Sequence, residues 1–517
     1  MPEPTKPLSP RASRGRCRLC GLCLGSALLA IVVSTLVHLL SPPPQPAPSP
    51  SFSIIIDGGS TGTRAHVFSL GPDGRPDLAR SAVMRVSPGL SSFAADTACA
   101  GESLRPLLEF AKEKVGSEGA AAATEVRLMA TAGLRLLEES VREAILVSCR
   151  NALRASGFRF EDSWAKVIPG SDEGVYAWVA ANYALGTLGG DPHKTIGIIE
   201  LGGASAQLTF VSDEVLPLEL STNFTFGGTT YTLYSNSFLN FGQNAAQDSY
   251  REILKSRVQM SQDFSSKKKF VEGSFKNGTL VDPCAPKGFS HKRKVLARTS
   301  GASRSNLENQ YVDNGSGNYK ECRSSSLMMM QEGKERCEYQ QCHLGSNFVP
   351  ELLGHFLATE NFYFTSKFFG LDRSSSLSDF VVAGEQLCNK DLSTLRQKYL
   401  NHSDEDFSRY CFSSAYIVAL LHDSLGVPLD DKRIEYSNQV GDTHIEWALG
   451  AFIANTKHRI LGASRAVATR SPKHRPLLAV LGAFLACGIY LVLRWRKPKT
   501  KIIYDLEKGR YIMTRIS

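Results

Sequence analysis

The chain has 517 residues, 42% hydrophobic and 21% charged, with 43 Gly and 24 Pro. This composition excludes a disordered, fibrous or mini-protein class and leaves length for roughly three and a half domain-equivalents. The net charge of +9 is modest, and its location along the chain decides whether it implies a partner.

The N-terminal residues 1–19 form a basic tail with Lys6, Arg11, Arg14, Arg16 and Arg18. Residues 20–40 contain no Asp, Glu, Lys or Arg, and about 21 residues at 1.5 Å each cross a hydrocarbon layer of about 30 Å. This segment is expected to be an uncleaved transmembrane helix, because it runs into a Pro-rich linker at 41–50 rather than a small-residue cleavage site. The positive-inside rule then places the N-terminus in the cytosol and the body outside it.

The body opens with SFSIIIDGGSTGTRAHVFSL, an apolar strand, a Gly-rich turn and a second strand. Gly58, Gly59 and Gly62 permit close backbone approach, and Ser60, Thr61 and Thr63 add hydroxyls, which suits a phosphate. Asp57, at the strand end, is placed to hold a divalent cation or its waters. VRLMATAGLRLL then reads as strand, turn at Thr131-Ala132-Gly133 and helix start, a second place where backbone N–H groups meet phosphate. KVIPGSDEGVYAWVAANYALG runs from strand to helix, with Ser171 or Asp172 read as a cap and Glu173 beside it. KTIGIIELGGASAQLTF repeats the first design, with Glu200 at the strand end, Gly202 and Gly203 in the turn and Ser205 beyond. Two such hairpins suggest duplicated lobes facing one nucleotide. Neither matches a GxxxxGK[ST] loop or GxGxxG before a helix.

Eight cysteines, 99, 149, 284, 322, 337, 342, 388 and 411, lie between the apolar ends. In an oxidising compartment they are expected to form four disulfides, with spacing that suggests sequential local pairs. Sequons at Asn223, Asn277, Asn314 and Asn401 agree with an extracytoplasmic body. ENFYFTSKFFG is dense in aromatics, and Trp447 in WALG reads as a core or cleft-wall residue. A second span is expected over 477–493, followed by a basic cytosolic tail at 494–517. Much of the +9 thus sits in two membrane-flanking tails, so no nucleic-acid partner is implied.

The ordered set DGGSTGTR, ATAGLR, GSDEGVYAW, ELGGASAQ and WALG resembles the apyrases, the ecto-nucleoside triphosphate diphosphohydrolases, over roughly residues 52–455. The resemblance implies an α/β, two-lobed actin-like fold of the sugar kinase and chaperone ATPase type, here flanked by two transmembrane helices. Residues 51–172 with 437–469 would form lobe I and 173–436 lobe II. It also implies metal-dependent hydrolysis of nucleoside tri- and diphosphates to the monophosphate, with Ca²⁺ or Mg²⁺ as cofactor. Glu173 would be the general base, with Ser205 and Gln207 orienting the water. Gly58 to Arg64 in the first loop, Thr131 and Ala132, and Gly202, Gly203 and Ala204 would surround the phosphates. Asp57 and Glu200 would hold the cation mainly through water, and Tyr363 would stack on the base. Family members commonly carry Asp at the position of Glu200, and many have His at the position of Gly62. The alternatives are an exopolyphosphatase and a non-catalytic nucleotide-binding receptor. The membrane plan implies a luminal or extracellular body at the Golgi or plasma membrane, with association possible through the spans.

Overall fold

Strand β1 (Ser51–Gly58) carries three consecutive isoleucines, Ile54, Ile55 and Ile56, all buried. A β-branched run buried on both faces is the signature of a central strand, and each side chain contributes about 1.5–3 kcal/mol of burial. The computed structural model describes residues 51–71, 75–263, 275–276, 279–294, 310–339, 342–457, 488, 500–505 and 509–515. The expected span at 20–40 lies outside these residues, as does 477–493 except Gly488, and among described residues no helix is long and apolar enough to cross a membrane. Within the C-terminal tail, Thr500–Asp505 and Arg510–Arg515 pair as an antiparallel hairpin.

β1 pairs antiparallel with β2 (Thr63–Leu70), which pairs antiparallel with β3 (Pro76–Val86). On its other side β1 runs parallel to β4 (Glu125–Ala130), and β4 parallel to β5 (Ala165–Val167), giving the order β3-β2-β1-β4-β5. The second sheet repeats this plan. β6 (Gly197–Leu201) and β7 (Ser205–Val211) form the central hairpin; β8 (Ser221–Phe226) and β9 (Thr229–Leu239) extend one side. β10 (Phe356–Glu360) and β11 (Ile434–Tyr436) add parallel strands on the other. The order β9-β7-β6-β10-β11 copies the first sheet, with β8 added at the edge. The mixed α/β architecture with two sheets of like order agrees with the fold expected from the resemblance.

Strand alternation distributes three cores. Ile54 and Ile56 join Val126 and Leu128 on the outer face of the first sheet, against α1 (Arg105–Val115) and α3 (Glu139–Arg154). Between β4 and α3 lies the single-turn α2 (Ala132–Arg135). Ile55 and Met129 point the other way, into a core shared with Ile198 and Leu357 of the second sheet. That central core is filled by α4 (Gly170–Ala184) and by α6, the helix over 447–457. The two helices pack so closely that a Cβ on Gly450 would lie 1.7 Å from the Tyr176 carbonyl oxygen, which accounts for the glycine of WALG. Ile199, Ala206 and Leu208 face the third core, built with helices such as Gln243–Asp263 and Asp404–Val418; α5 (Asn361–Phe369) begins at the end of β10.

Three of the four expected disulfides form: Cys284–Cys322, Cys337–Cys342 and Cys388–Cys411. The fourth sequential pair, Cys99 with Cys149, does not. Cys99 is exposed, its Sγ donating to Asp96 Oδ2 at 3.2 Å, whereas Cys149 is buried on the inward face of α3 beside Ile145, Leu146 and Leu153. The sequon asparagines 223, 314 and 401 are all exposed; Asn277 lies outside the described residues.

Candidate active site

The two glycine-rich turns meet across a cleft. In the first hairpin Asp57 pairs with Arg64 across β1 and β2, and in the second Glu200 pairs with Gln207 across β6 and β7, so each turn presents an acid at the same register position. The turns face each other closely: a Cβ on Gly203 would stand 2.7 Å from Ser60 Oγ and 3.0 Å from Thr61 Cγ2. A larger residue at 203 would displace the Ser60 and Thr61 side chains from these positions. The resulting cleft, open to solvent, is lined by both turns and by Thr131, Ala132, Glu173, Glu360, Glu446 and Trp447.

Five carboxyls converge here: Asp57, Glu173, Glu200, Glu360 and Glu446. Burial raises the pKa of each above the ordinary carboxylate value. For Glu200, pushed well up, the neighbouring Glu173 and Glu360 add to the burial effect. Asp57 Oδ2 accepts from Arg64 Nη1 at 2.9 Å, while Asp57 Oδ1 and Glu200 Oε2 are buried with no hydrogen-bond partner. Buried, unpartnered carboxylate oxygens are costly. Two of them in one cleft are the donor set that suits a hydrated divalent cation, so these residues fit the metal the sequence implies.

Glu173 sits in the first turn of α4, where the helix N-terminus favours negative charge. The helix begins after Pro169, so Ser171 and Asp172 lie inside its first turn rather than capping it. Burial lifts the Glu173 pKa to about 7 against the pull of Arg135, whose Nη2 donates to Glu173 Oε2 at 2.8 Å. The same Nη2 lies 3.3 Å from Ser205 Oγ, and Gln207 Nε2 donates to that oxygen at 2.5 Å and to Ser237 Oγ at 3.3 Å. A hydroxyl has two lone pairs and one hydrogen. With both lone pairs taken by Arg135 and Gln207, the Ser205 hydrogen is left to donate into the cleft.

The structure brings together Asp57, Gly59, Ser60, Thr61, Arg64, Thr131, Ala132, Glu173, Glu200, Gly202, Gly203, Ala204, Ser205 and Gln207. Gly58, Gly62, Thr63 and Tyr363 do not line the cleft. Gly58 and Thr63 pair with each other as the last rung of the β1–β2 ladder, and the Thr63 hydroxyl is fully buried. Gly62 lies beneath the Arg85 side chain. Tyr363 belongs to the first turns of α5, with the Lys367 ammonium 5.6 Å from its ring centroid. Arg64, expected among the phosphate ligands, is engaged with Asp57. Trp447 is a buried cleft-wall residue stacked on Tyr176, as read from the sequence.

Three cleft-lining residues, His66, Glu360 and Glu446, and Arg135, which bonds to Glu173, escape sequence reasoning. Arg135 had a signal, since it ends ATAGLR as Arg64 ends DGGSTGTR, and each arginine pairs with a catalytic-cleft acid. His66, neutral near pH 7 because burial depresses its pKa to about 4, lies 3.1 Å from Glu446 Oε2 through Nδ1. Glu360 has φ +57°, an uncommon backbone for a non-glycine residue, stabilised by its N–H donating to Asn438 Oδ1 at 2.7 Å. As lone acids, Glu360 and Glu446 carry no spacing pattern.

Residues 47–470 match the model of the GDA1/CD39 (nucleoside phosphatase) family. The chain is 51% identical over 480 residues to "Probable apyrase 6" of Arabidopsis thaliana, covering 90% of this chain and 84% of that protein. It is 30% identical over 432 residues to the guanosine-diphosphatase of Candida albicans, covering 77% and 70% respectively. Among solved structures, a nucleoside triphosphate hydrolase from Neospora caninum shares the fold, with TM-score 0.59 at 17% identity, over 86% of this chain and 98% of that one. With the duplicated hairpins, the acidic cleft and a match across most of its length, this chain belongs to the GDA1/CD39 nucleoside phosphatase family.

Proposed function

We propose that this chain is an apyrase that hydrolyses the terminal phosphoanhydride bond of nucleoside tri- and diphosphates, with Glu173 as general base. The observation that carries this reading is the Glu173–Arg135–Ser205–Gln207 network at the floor of a cleft formed by two phosphate-binding turns. A carboxylate with pKa near 7 has the basicity to take a proton from water at neutral pH. Ser205, donating into the cleft, orients that water, and Gln207 and Arg135 fix the Ser205 rotamer. Backbone N–H groups of the two turns and the Ser60 and Thr61 hydroxyls receive the phosphate oxygens, and Thr131 and Ala132 border the site. Asp57 and Glu200 would hold Ca²⁺ or Mg²⁺, mainly through its waters. When bound, the cation offsets the negative charge of the anhydride.

The test uses the full-length chain in detergent with a panel of ATP, ADP, GDP and UDP and released phosphate as readout. Glu173→Gln is expected to lower kcat by about 10²–10⁴-fold while nucleotide still binds. Full activity in this variant overturns the base assignment. Release of phosphate from polyphosphate but from no nucleotide favours the exopolyphosphatase reading, and binding without turnover in the wild type favours the receptor.

We propose further that the body lies outside the cytosol, in the Golgi lumen or at the cell surface. Three disulfides and three exposed sequon asparagines support this placement. Deglycosylation that leaves the mobility of the protein from intact cells unchanged, with all cysteines reduced, contradicts it.

A further inference from the structure

The Gly62 position and β3 together create a feature that none of the five motifs contains. Arg85 stands directly across from Arg64 in the β2–β3 ladder. Like charges opposite one another on adjacent strands are destabilising unless something offsets them. Arg64 has its acid in Asp57. Arg85 has no ion pair among the described residues; its Nη2 donates only to a neutral oxygen, Thr61 Oγ1, at 3.1 Å. It is exposed, yet Arg64, Glu360, Asp57 and Glu446 of the cleft all act on it electrostatically.

The missing side chain at Gly62 makes room for this guanidinium. A Cβ on residue 62 would lie 2.8 Å from Arg85 Nε, 3.2 Å from Arg85 Nη2 and 2.9 Å from the Val86 carbonyl oxygen. The Arg85 side chain therefore occupies the space above the first phosphate turn that any larger residue at 62 would claim. A planar fork of donors, fixed by Thr61 and lacking a counter-ion, suits a phosphate oxygen.

We propose that Arg85 is a specificity-determining residue of this enzyme, binding the polyphosphate of the substrate from the outer edge of the first turn and favouring triphosphates over diphosphates. The direction follows from Coulomb's law, since a triphosphate brings one more negative charge within reach of a cation that makes no ion pair among the described residues. The inference rests on the nucleotide-hydrolase reading above.

The experiment compares wild type, Arg85→Gln and Arg85→Lys as full-length chains, measuring kcat and KM for ATP and ADP at low and high ionic strength. Gln keeps a donor for Thr61 and removes the charge; Lys keeps the charge and removes the fork. For Arg85→Gln, KM for ATP is expected to rise on the order of tenfold or more, and KM for ADP by a smaller factor, with kcat little changed. Lys recovers part of the ATP loss, and the wild-type preference for ATP shrinks at high salt. An unchanged ATP-to-ADP ratio of kcat/KM in Arg85→Gln overturns the assignment while leaving the hydrolase reading standing. An equal fall in kcat for both nucleotides also overturns it, because that is the mark of a displaced Thr61 turn. A wild type that hydrolyses no nucleotide overturns both readings.

Discussion

Arg135 Nη2 donates to Glu173 Oε2 at 2.8 Å, joining the end of the ATAGLR motif beside the first sheet to the proposed general base at the start of α4. The cation opposes the burial that raises the Glu173 pKa, and the balance leaves that pKa at about 7.

This pair sets the acid side of the pH–rate profile. The proposed base works deprotonated, so kcat/KM with the divalent cation present is expected to rise with pH through a value below about 7, because a nearby positive charge favours the carboxylate. Removing the guanidinium withdraws a stabilising charge, so Arg135→Ala should move the limb to higher pH, with Arg135→Lys in between. Profiles for the three proteins at saturating cation check this, and a limb that stays in place in Arg135→Ala contradicts it.

Cleft carboxyls also couple stability to pH and to the cation. Burial holds Asp57, Glu173, Glu200, Glu360 and Glu446 above their ordinary pKa values in the folded chain. Such groups favour folding at acid pH, and that support disappears as pH rises past the unfolded-state values and through the raised folded ones. A divalent cation bound between Asp57 and Glu200 offsets the ionised forms and stabilises by mass action. The rise in Tm on adding Ca²⁺ to chelator-treated protein is therefore expected to be larger at pH 8 than at pH 5.5. A rise independent of pH would count against the site.

Contact between the two turns predicts the effect of a single methyl group. In Gly203→Ala the new Cβ meets Ser60 Oγ at 2.7 Å and Thr61 Cγ2 at 3.0 Å, so it displaces the two side chains that border the phosphate site. KM for nucleotide should rise about tenfold or more, with the thermal midpoint nearly unchanged because the turn is at the cleft surface. Titration of a non-hydrolysable nucleotide by calorimetry provides the check.

The cysteine arrangement predicts two different thiols. In the native chain a maleimide should label exposed Cys99, slowed by the Asp96 carboxylate that raises its thiol pKa, while Cys149, buried and with its thiol pKa pushed up to about 12, should react only after unfolding. Peptide mapping by mass spectrometry distinguishes this from a Cys99–Cys149 disulfide, in which neither residue would label without reduction.

Most of the site's local chemistry was legible in the sequence. DGGSTGTR and ELGGASAQ each place an acid, a tight turn and hydroxyls within a few residues, so short-range backbone geometry alone sets Asp57 beside Ser60 and Glu200 beside Ser205. Burial of Ile54, Ile55 and Ile56 on both faces of the sheet was implicit in the run of isoleucines. What the sequence left open are contacts between segments far apart in the chain. Parallel pairing of β1 with β4 and of β6 with β10 carries Thr131 to Gly58 and Glu360 to Leu201. The packing of α4 between the sheets then delivers Glu173 to Arg135, 38 residues away, whose guanidinium also reaches Ser205. Only that tertiary arrangement crowds five carboxyls into one cleft and buries three of them, Asp57, Glu173 and Glu200. Their proton affinities, the orphaned oxygens of Asp57 and Glu200, and the free charge of Arg85 above Gly62 depend on which groups face one another rather than on which are neighbours in the chain.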